Sequence, residues 1–237
     1  MRGCSFSFFK MATYEKIILA FFALVVCSRL SGATMLDAVC YDDAESLSDV
    51  AMTKSLSLDD YRGKVVLVVN TASFCTYTYQ YPYFNELKNE FGDQLAILGF
   101  PCNQFWLQEP GVGQEIPNTL RYVRPGGGYE PNFYLNEEKI DVNGPKAHPL
   151  FKKLKNSCPP VKMEIGDPSN LYWSPMTIGD VTWNFNKFLL DKEGVPFKRY
   201  DSVVEPLQLV SDIQLVVDGD YKTVKRPSRP KYATEEL

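Results

Sequence analysis

Histidine is almost missing from this sequence: His148 is the sole one in 237 residues. That excludes most histidine-ligated metal sites and every Ser/His/Asp triad that does not run through this residue, so no metal is expected. Cys-x-x-Cys is absent as well, which removes the thioredoxin-type dithiol and leaves any redox chemistry to isolated thiols. Basic residues are not in excess. With 25 Lys and Arg against 29 Asp and Glu the net charge is -4, giving no global field for phosphate, and nucleic acid is not expected as a partner. Gly126-Gly127-Gly128 lacks a following Lys-Ser/Thr and Gly111-Val112-Gly113 lacks a third glycine, so neither implies a nucleotide. No Asn-x-Ser/Thr occurs, so N-glycosylation is not expected.

Long hydrophobic runs are also lacking. The longest, Ile17 to Cys27, has eleven residues, short of the roughly 20 that a membrane-spanning helix needs. Lys10 and Lys16 precede it and Ser31-Gly32-Ala33 follows, the pattern of a secretory signal peptide over 1–33. A start at Met11 would yield the same mature chain, and an uncleaved anchor is the weaker reading. The mature protein is then secreted, with 21 basic and 28 acidic residues and a net charge of -7. Its length suits one compact domain, 34–218. The basic segment 219–237, rich in proline, reads as a flexible, solvated tail rather than a docking segment.

Lys64 to Asn70 (KVVLVVN) is β-branched and apolar, the signature of a central strand buried on both faces. Tyr79, Tyr83, Leu87 and Phe91 recur every four residues in an amphipathic helix that Pro82 opens and Gly92 ends. Leu95 to Phe100 is a second buried strand, and strand, helix, strand implies a right-handed parallel crossover. Short helices are expected over Glu115 to Val123 and from His148 to Asn156. Trp183 to Leu190 and Val195 to Tyr200 read as a hairpin about Asp191 to Gly194, and a helix over Pro206 to Val217 closes the domain.

Cys75 lies five residues beyond the first strand and just before a helix. The carboxyl edge of a strand is where α/β proteins bind ligands, and a helix start favours a thiolate, so a lowered pKa is expected. A small buried hydrophobe is the alternative. Its neighbours in sequence add to this. Asn70 to Cys75 (NTASFC), Gly99 to Pro110 (GFPCNQFWLQEP) and Asp180 to Leu190 (DVTWNFNKFLL) resemble the three signatures of the glutathione peroxidase family. Arg121 to Pro131 resembles a loop of its tetrameric members. The resemblance spans Ser57 to Leu215.

The resemblance implies a thioredoxin-like α/β fold, with a central mixed β-sheet flanked by helices. It implies a peroxidase acting on H2O2 and organic or lipid hydroperoxides, with Cys75 where many members carry selenocysteine. Gln108, Trp183 and Asn184 are then the catalytic donors around the sulfur, and no extra general base is required. The thiolate becomes a sulfenic acid that thiols must restore. Glutathione is the implied co-substrate, with no other cofactor. Lys198 and Arg199 match a basic pair that holds its carboxylates, and Arg124 is a possible third contact. A resolving cysteine would fall among Asn118 to Val123, and that stretch has none. A thioredoxin-reduced enzyme and a secreted interaction protein on a peroxidase scaffold remain the alternatives. A homotetramer is implied. With Cys75 free to cycle and Cys102 packed, Cys40 and Cys158 are left as the pair for a disulfide, unless Cys40 stays free or bridges subunits.

Overall fold

The computed structural model describes residues 36–53 and 57–230. The expected signal peptide, 1–33, lies outside the described residues, as do positions 231–237 of the tail. The centre is a six-stranded mixed sheet in the order β1-β6-β5-β2-β3-β4. Its middle strands, β2 (Val65–Thr71) and β3 (Leu95–Pro101), are buried at every position. They run parallel, with Val65 opposite Leu95 and Thr71 opposite Pro101. This burial on both faces is why their sequences are continuously apolar rather than alternating.

Helix α1 (Tyr81–Phe91) forms the β2-to-β3 crossover, and α2 (Glu115–Tyr122) follows β3. The two-residue β4 (Tyr134–Leu135) extends the sheet beside β3. Helix α3 (Pro149–Ser157) opens with the ring of His148 capping the Leu150 amide. β5 (Lys187–Leu190) and β6 (Pro196–Tyr200) pair as an antiparallel hairpin. Helix α4 (Val210–Asp218) ends at Gly219 in the left-handed conformation. β1 (Asp37–Val39) pairs along β6 at one edge of the sheet. No helix among the described residues is long and apolar enough to cross a membrane.

Alternation along the strands divides the core. Val66, Val68, Leu98, Phe188 and Leu190 pack with Leu150, Phe151 and Leu154 of α3 on one face. Val65, Leu67, Ile97 and Leu189 pack with Phe84 and Leu87 of α1 and Ile213 of α4 on the other.

Three expectations change here. The buried stripe of α1 is Tyr81, Phe84, Leu87 and Phe91, while Tyr79 and Tyr83 are exposed. Four residues turn an α-helix by about 400°, so a strict four-residue repeat drifts off the buried face within three steps. Trp183 to Asn186 is a turn and not part of the strand, which begins at Lys187. The tail does not float free up to Pro230. Arg229 forms a two-pronged ion pair with Asp43 at 2.8 and 3.0 Å and stacks over the Tyr41 ring. Ser228 donates to Asp42, and the Asp42 amide donates to the Pro227 carbonyl. The acidic stretch after β1 provides the partner that makes basic residues dock instead of remaining solvated.

Candidate active site

Sheet order brings three loops together. β2 and β3 are parallel, so the segments leaving them lie at one edge, and the segment entering antiparallel β5 on the other flank of β2 lies at the same edge. After β2 the chain passes through Ala72, Ser73 and Phe74 to Cys75, which caps a single 3-10 turn, Thr76–Gln80. After β3, the Phe74 amide donates to the Gln108 carbonyl at 3.0 Å. Glu109 accepts from both the amide and the hydroxyl of Ser73, at 2.8 Å each. Before β5, the Phe185 amide donates to the Asn70 carbonyl at 2.6 Å, and the Asn70 side chain donates to the Trp183 carbonyl at 3.1 Å. Phe185 holds a left-handed φ of 69° in that turn.

Cys75 has no exposed surface. Its sulfur accepts a hydrogen bond from the Tyr77 amide at 3.4 Å, and the side chains of Trp183 and Asn184 act on it as further donors that favour its anion. Burial nonetheless pushes the thiol above its ordinary range; these three donors and the charge of Arg124 pull it back only in part. The expected lowering of the Cys75 pKa is therefore corrected. A 3-10 turn of five residues is a short source of positive potential, and loss of water around the sulfur outweighs it. The resting group is a thiol held among donors that favour its anion.

Gln108 is joined to the site through Asn184. Its side-chain oxygen accepts from the Asn184 amide at 3.1 Å, so it orients a donor to Cys75. The basic pair is not at the site. Lys198 is bound to Asp212 at 2.9 Å and Asp37 at 3.4 Å. Arg199 is fully buried, donating to the carbonyls of Gly179 at 3.0 Å and Asp180 at 2.9 Å. Strand alternation turns it into the α3-side core against Phe188, so neither residue is available to a ligand. Arg124 is exposed, and its charge favours the Cys75 anion.

The rim is apolar. Phe74, Trp106, Leu107, Tyr122 and Val123 are all exposed, and Trp106 and Leu107 each hold a left-handed φ of 50°. Non-glycine residues in that region are strained, and such strain gathers at functional sites. Phe74 also borders an open groove of about 520 Å³ lined by Pro110, Glu115, Thr119, Tyr122 and Val123.

Comparison with known proteins bears on what this geometry is for. The chain is 44% identical to glutathione peroxidase 1 of Rattus norvegicus over 193 residues, covering 79% of this chain and 92% of that protein. The chain belongs to the glutathione peroxidase family. The family's model, described as glutathione peroxidase, matches residues 44–155. Glutathione peroxidase 6 of Mus musculus is 51% identical over 146 residues, 61% of this chain and 66% of that protein. Among solved structures, T. cruzi GPX1 superposes with a TM-score of 0.51 at 26% identity, covering 73% of this chain and 97% of that one. This family member is an enzyme with the thioredoxin-like α/β fold and thiol-based peroxidase chemistry, carrying cysteine and not selenocysteine in the NTASFC segment.

Sequence reasoning missed two groups behind the glutathione peroxidase signatures. Glu109 is buried and is the first charge after a wholly uncharged stretch from Leu95 to Gln108, a signal that was there to be read. Lys187, also buried, donates to the Phe185 carbonyl at 2.8 Å and so braces the turn that carries Trp183 and Asn184. Burial lowers its pKa to about 7. Its place at a strand start carries no sequence signal of burial.

Proposed function

We propose that this enzyme reduces H2O2 and organic or lipid hydroperoxides through Cys75, with glutathione as the reductant. The Cys75 sulfur attacks the distal peroxide oxygen; the S–O bond forms as the O–O bond breaks, and the thiol proton ends on the departing water or alcohol. One glutathione then displaces water from the sulfenic acid to give a mixed disulfide, and a second releases oxidised glutathione and the thiol. The observation that supports this reading most is a buried sulfur that accepts from the Tyr77 amide, with the Trp183 and Asn184 side chains acting on it as further donors. Preorganised donors stabilise negative charge on sulfur as it forms.

A direct thiol reductant is favoured by where the other cysteines lie. Cys40 and Cys158 form a disulfide. Cys102 is buried in the core on the α3 side, while Cys75 belongs to the opposite face. Burial holds Cys102 up to about 12, so it is inert as a resolving thiol. Arg124, not Lys198 and Arg199, is the cation we assign to a glutathione carboxylate, with the groove beside Phe74 falling in the size range of small-molecule sites. Arg124→Gln raises the glutathione KM by about tenfold, equivalent to one charged contact of roughly 1.4 kcal/mol. Steady-state kinetics at fixed peroxide measures it; an unchanged KM refutes the assignment, and turnover sustained by thioredoxin but not by glutathione refutes the reductant.

We further propose that the protein is secreted and homotetrameric. A disulfide inside the chain suits an oxidising compartment, and Arg121 to Pro131 resembles the loop of the family's tetrameric members. Protein collected from the medium of expressing cells begins after Ala33 and scatters light as four chains. A retained leader or a monomer mass overturns the corresponding half.

A further inference from the structure

We propose that Glu109 is a positioning residue for the peroxide-reducing step: its buried carboxyl group, acting through Ser73, holds the Cys75 loop in register with the loop that carries Gln108. The proposal rests on the reading of Cys75 as the nucleophile.

Two loops leave neighbouring strands, and hydrogen bonds join them at successive points. The Cys102 amide donates to the Thr71 carbonyl at 2.9 Å and the Phe74 amide to the Gln108 carbonyl at 3.0 Å. Between these backbone contacts the Ser73 amide and hydroxyl both donate to one oxygen of Glu109. The Glu109 amide in turn donates to the Asn103 side chain at 2.9 Å. Ser73 is therefore fixed twice, two residues before the sulfur, by a side chain on the residue after Gln108.

A purely structural carboxyl group would be an odd choice at this place. Glu109 has no exposed surface, and its other oxygen has no hydrogen-bond partner among the described residues. Burying an acceptor unpaired is costly, and an apolar or amide side chain would fill this wall at less expense. Beside it lie the buried hydroxyls of Thr71 and Tyr81, and Tyr81 lies in the field of both Glu109 and Cys75. The carboxyl group thus shares with the sulfur an interior where charge is felt strongly.

Its ionisation is also poised. Burial raises Glu109 to about 7, against the pull of the two Ser73 bonds and the charge of Lys139. The other titratable groups facing it are Tyr81 from α1 and Cys102 beyond β3; burial raises both, so they stay neutral near that pH. Above about 7 the carboxylate accepts the Ser73 bonds with charge assistance; below it the protonated group is a weaker acceptor and the loop is held less firmly. Reactivity then falls as pH drops through that value.

The test is the rate of sulfenic acid formation with H2O2, followed by stopped flow from about pH 5.5 to about pH 9 on the full-length enzyme and its variants. The wild type gives an inflection near pH 7, set apart from the rise at higher pH as Cys75 itself ionises. Glu109→Gln keeps an acceptor oxygen but cannot titrate, so it loses the inflection and reacts about tenfold more slowly at pH 8, as expected for loss of charge assistance. A Glu109→Gln profile that matches wild type in rate and inflection overturns the proposal. Should that variant not fold, Ser73→Ala, which leaves the carboxyl group in place and deletes one of its two bonds, decides: slower sulfenic acid formation supports the proposal and a wild-type rate overturns it. If wild-type Cys75 forms no sulfenic acid, the assignment of the nucleophile fails first and this proposal with it.

Discussion

Cys75→Ser reduces peroxidase turnover to below about 1% of wild type, because a hydroxyl at neutral pH cannot replace a thiol as the nucleophile toward peroxide. The fold is kept: the residue is small and buried, and a serine oxygen can still accept from the Tyr77 amide, which reaches the sulfur at 3.4 Å. A normal melting curve beside lost activity is the expected pair of results, and residual turnover above about 1% would falsify the assignment. The direction of the Cys75 pKa shift adds a second reading. With the thiol raised by burial, alkylation by iodoacetamide is slow at neutral pH and climbs through pH 8 and about 9 without levelling, since the thiolate is the reactive form. A plateau below pH 7 would mean the donors outweigh burial.

Loss of the Cys40–Cys158 disulfide is the largest stability effect expected away from the site. The bond closes a separation of 118 positions, and in the chain-entropy description a loop of that size contributes about 5 kcal/mol by restricting the unfolded chain. What the bond joins adds to the effect. Cys40 follows β1, a strand of three residues, and Cys158 caps α3. The tail lies across the same region through Arg229, Asp43 and Asn156. Cys40→Ala with Cys158→Ala lowers the melting temperature by about 10 °C for a domain of this size. It also leaves β1 and the tail open to proteolysis before the rest of the sheet. A shift of less than about 2 °C would show that the edge strand and the tail hold without the bond.

How much of this was legible depends on the element. β2 and β3 could be read because burial on both faces demands apolar runs, Val65 to Val69 in one and Leu95 to Pro101 in the other. The hairpin of β5 and β6 could be read from its turn, where Gly194 holds a φ of 78°. β1 and β4 were invisible: three and two residues carry no periodicity, and both exist because a longer neighbour offers an unpaired edge. Trp183 to Asn186 read as strand because aromatic and polar residues alternate there. The Asn70 side chain and carbonyl pull it into a turn instead, and that turn is what aims Trp183 and Asn184 at the sulfur.

Sequence alone determined the kind of chemistry: an isolated cysteine after a central strand, one histidine, and three signatures that place amide and indole donors with it. It also set the scaffold, because two continuous apolar strands with an amphipathic crossover admit few arrangements. Only the tertiary structure decided which charged residues serve the site. Lys198 and Arg199 look like ligands in the sequence, yet strand alternation and partners far away in the chain commit one to Asp212 and the other to buried carbonyls. Arg124 carries a charge that favours the Cys75 anion. The ionisation of Cys75 was likewise settled by packing. Desolvation depends on how closely three loops seal around one atom, and that property belongs to the assembled sheet edge rather than to any local stretch of residues.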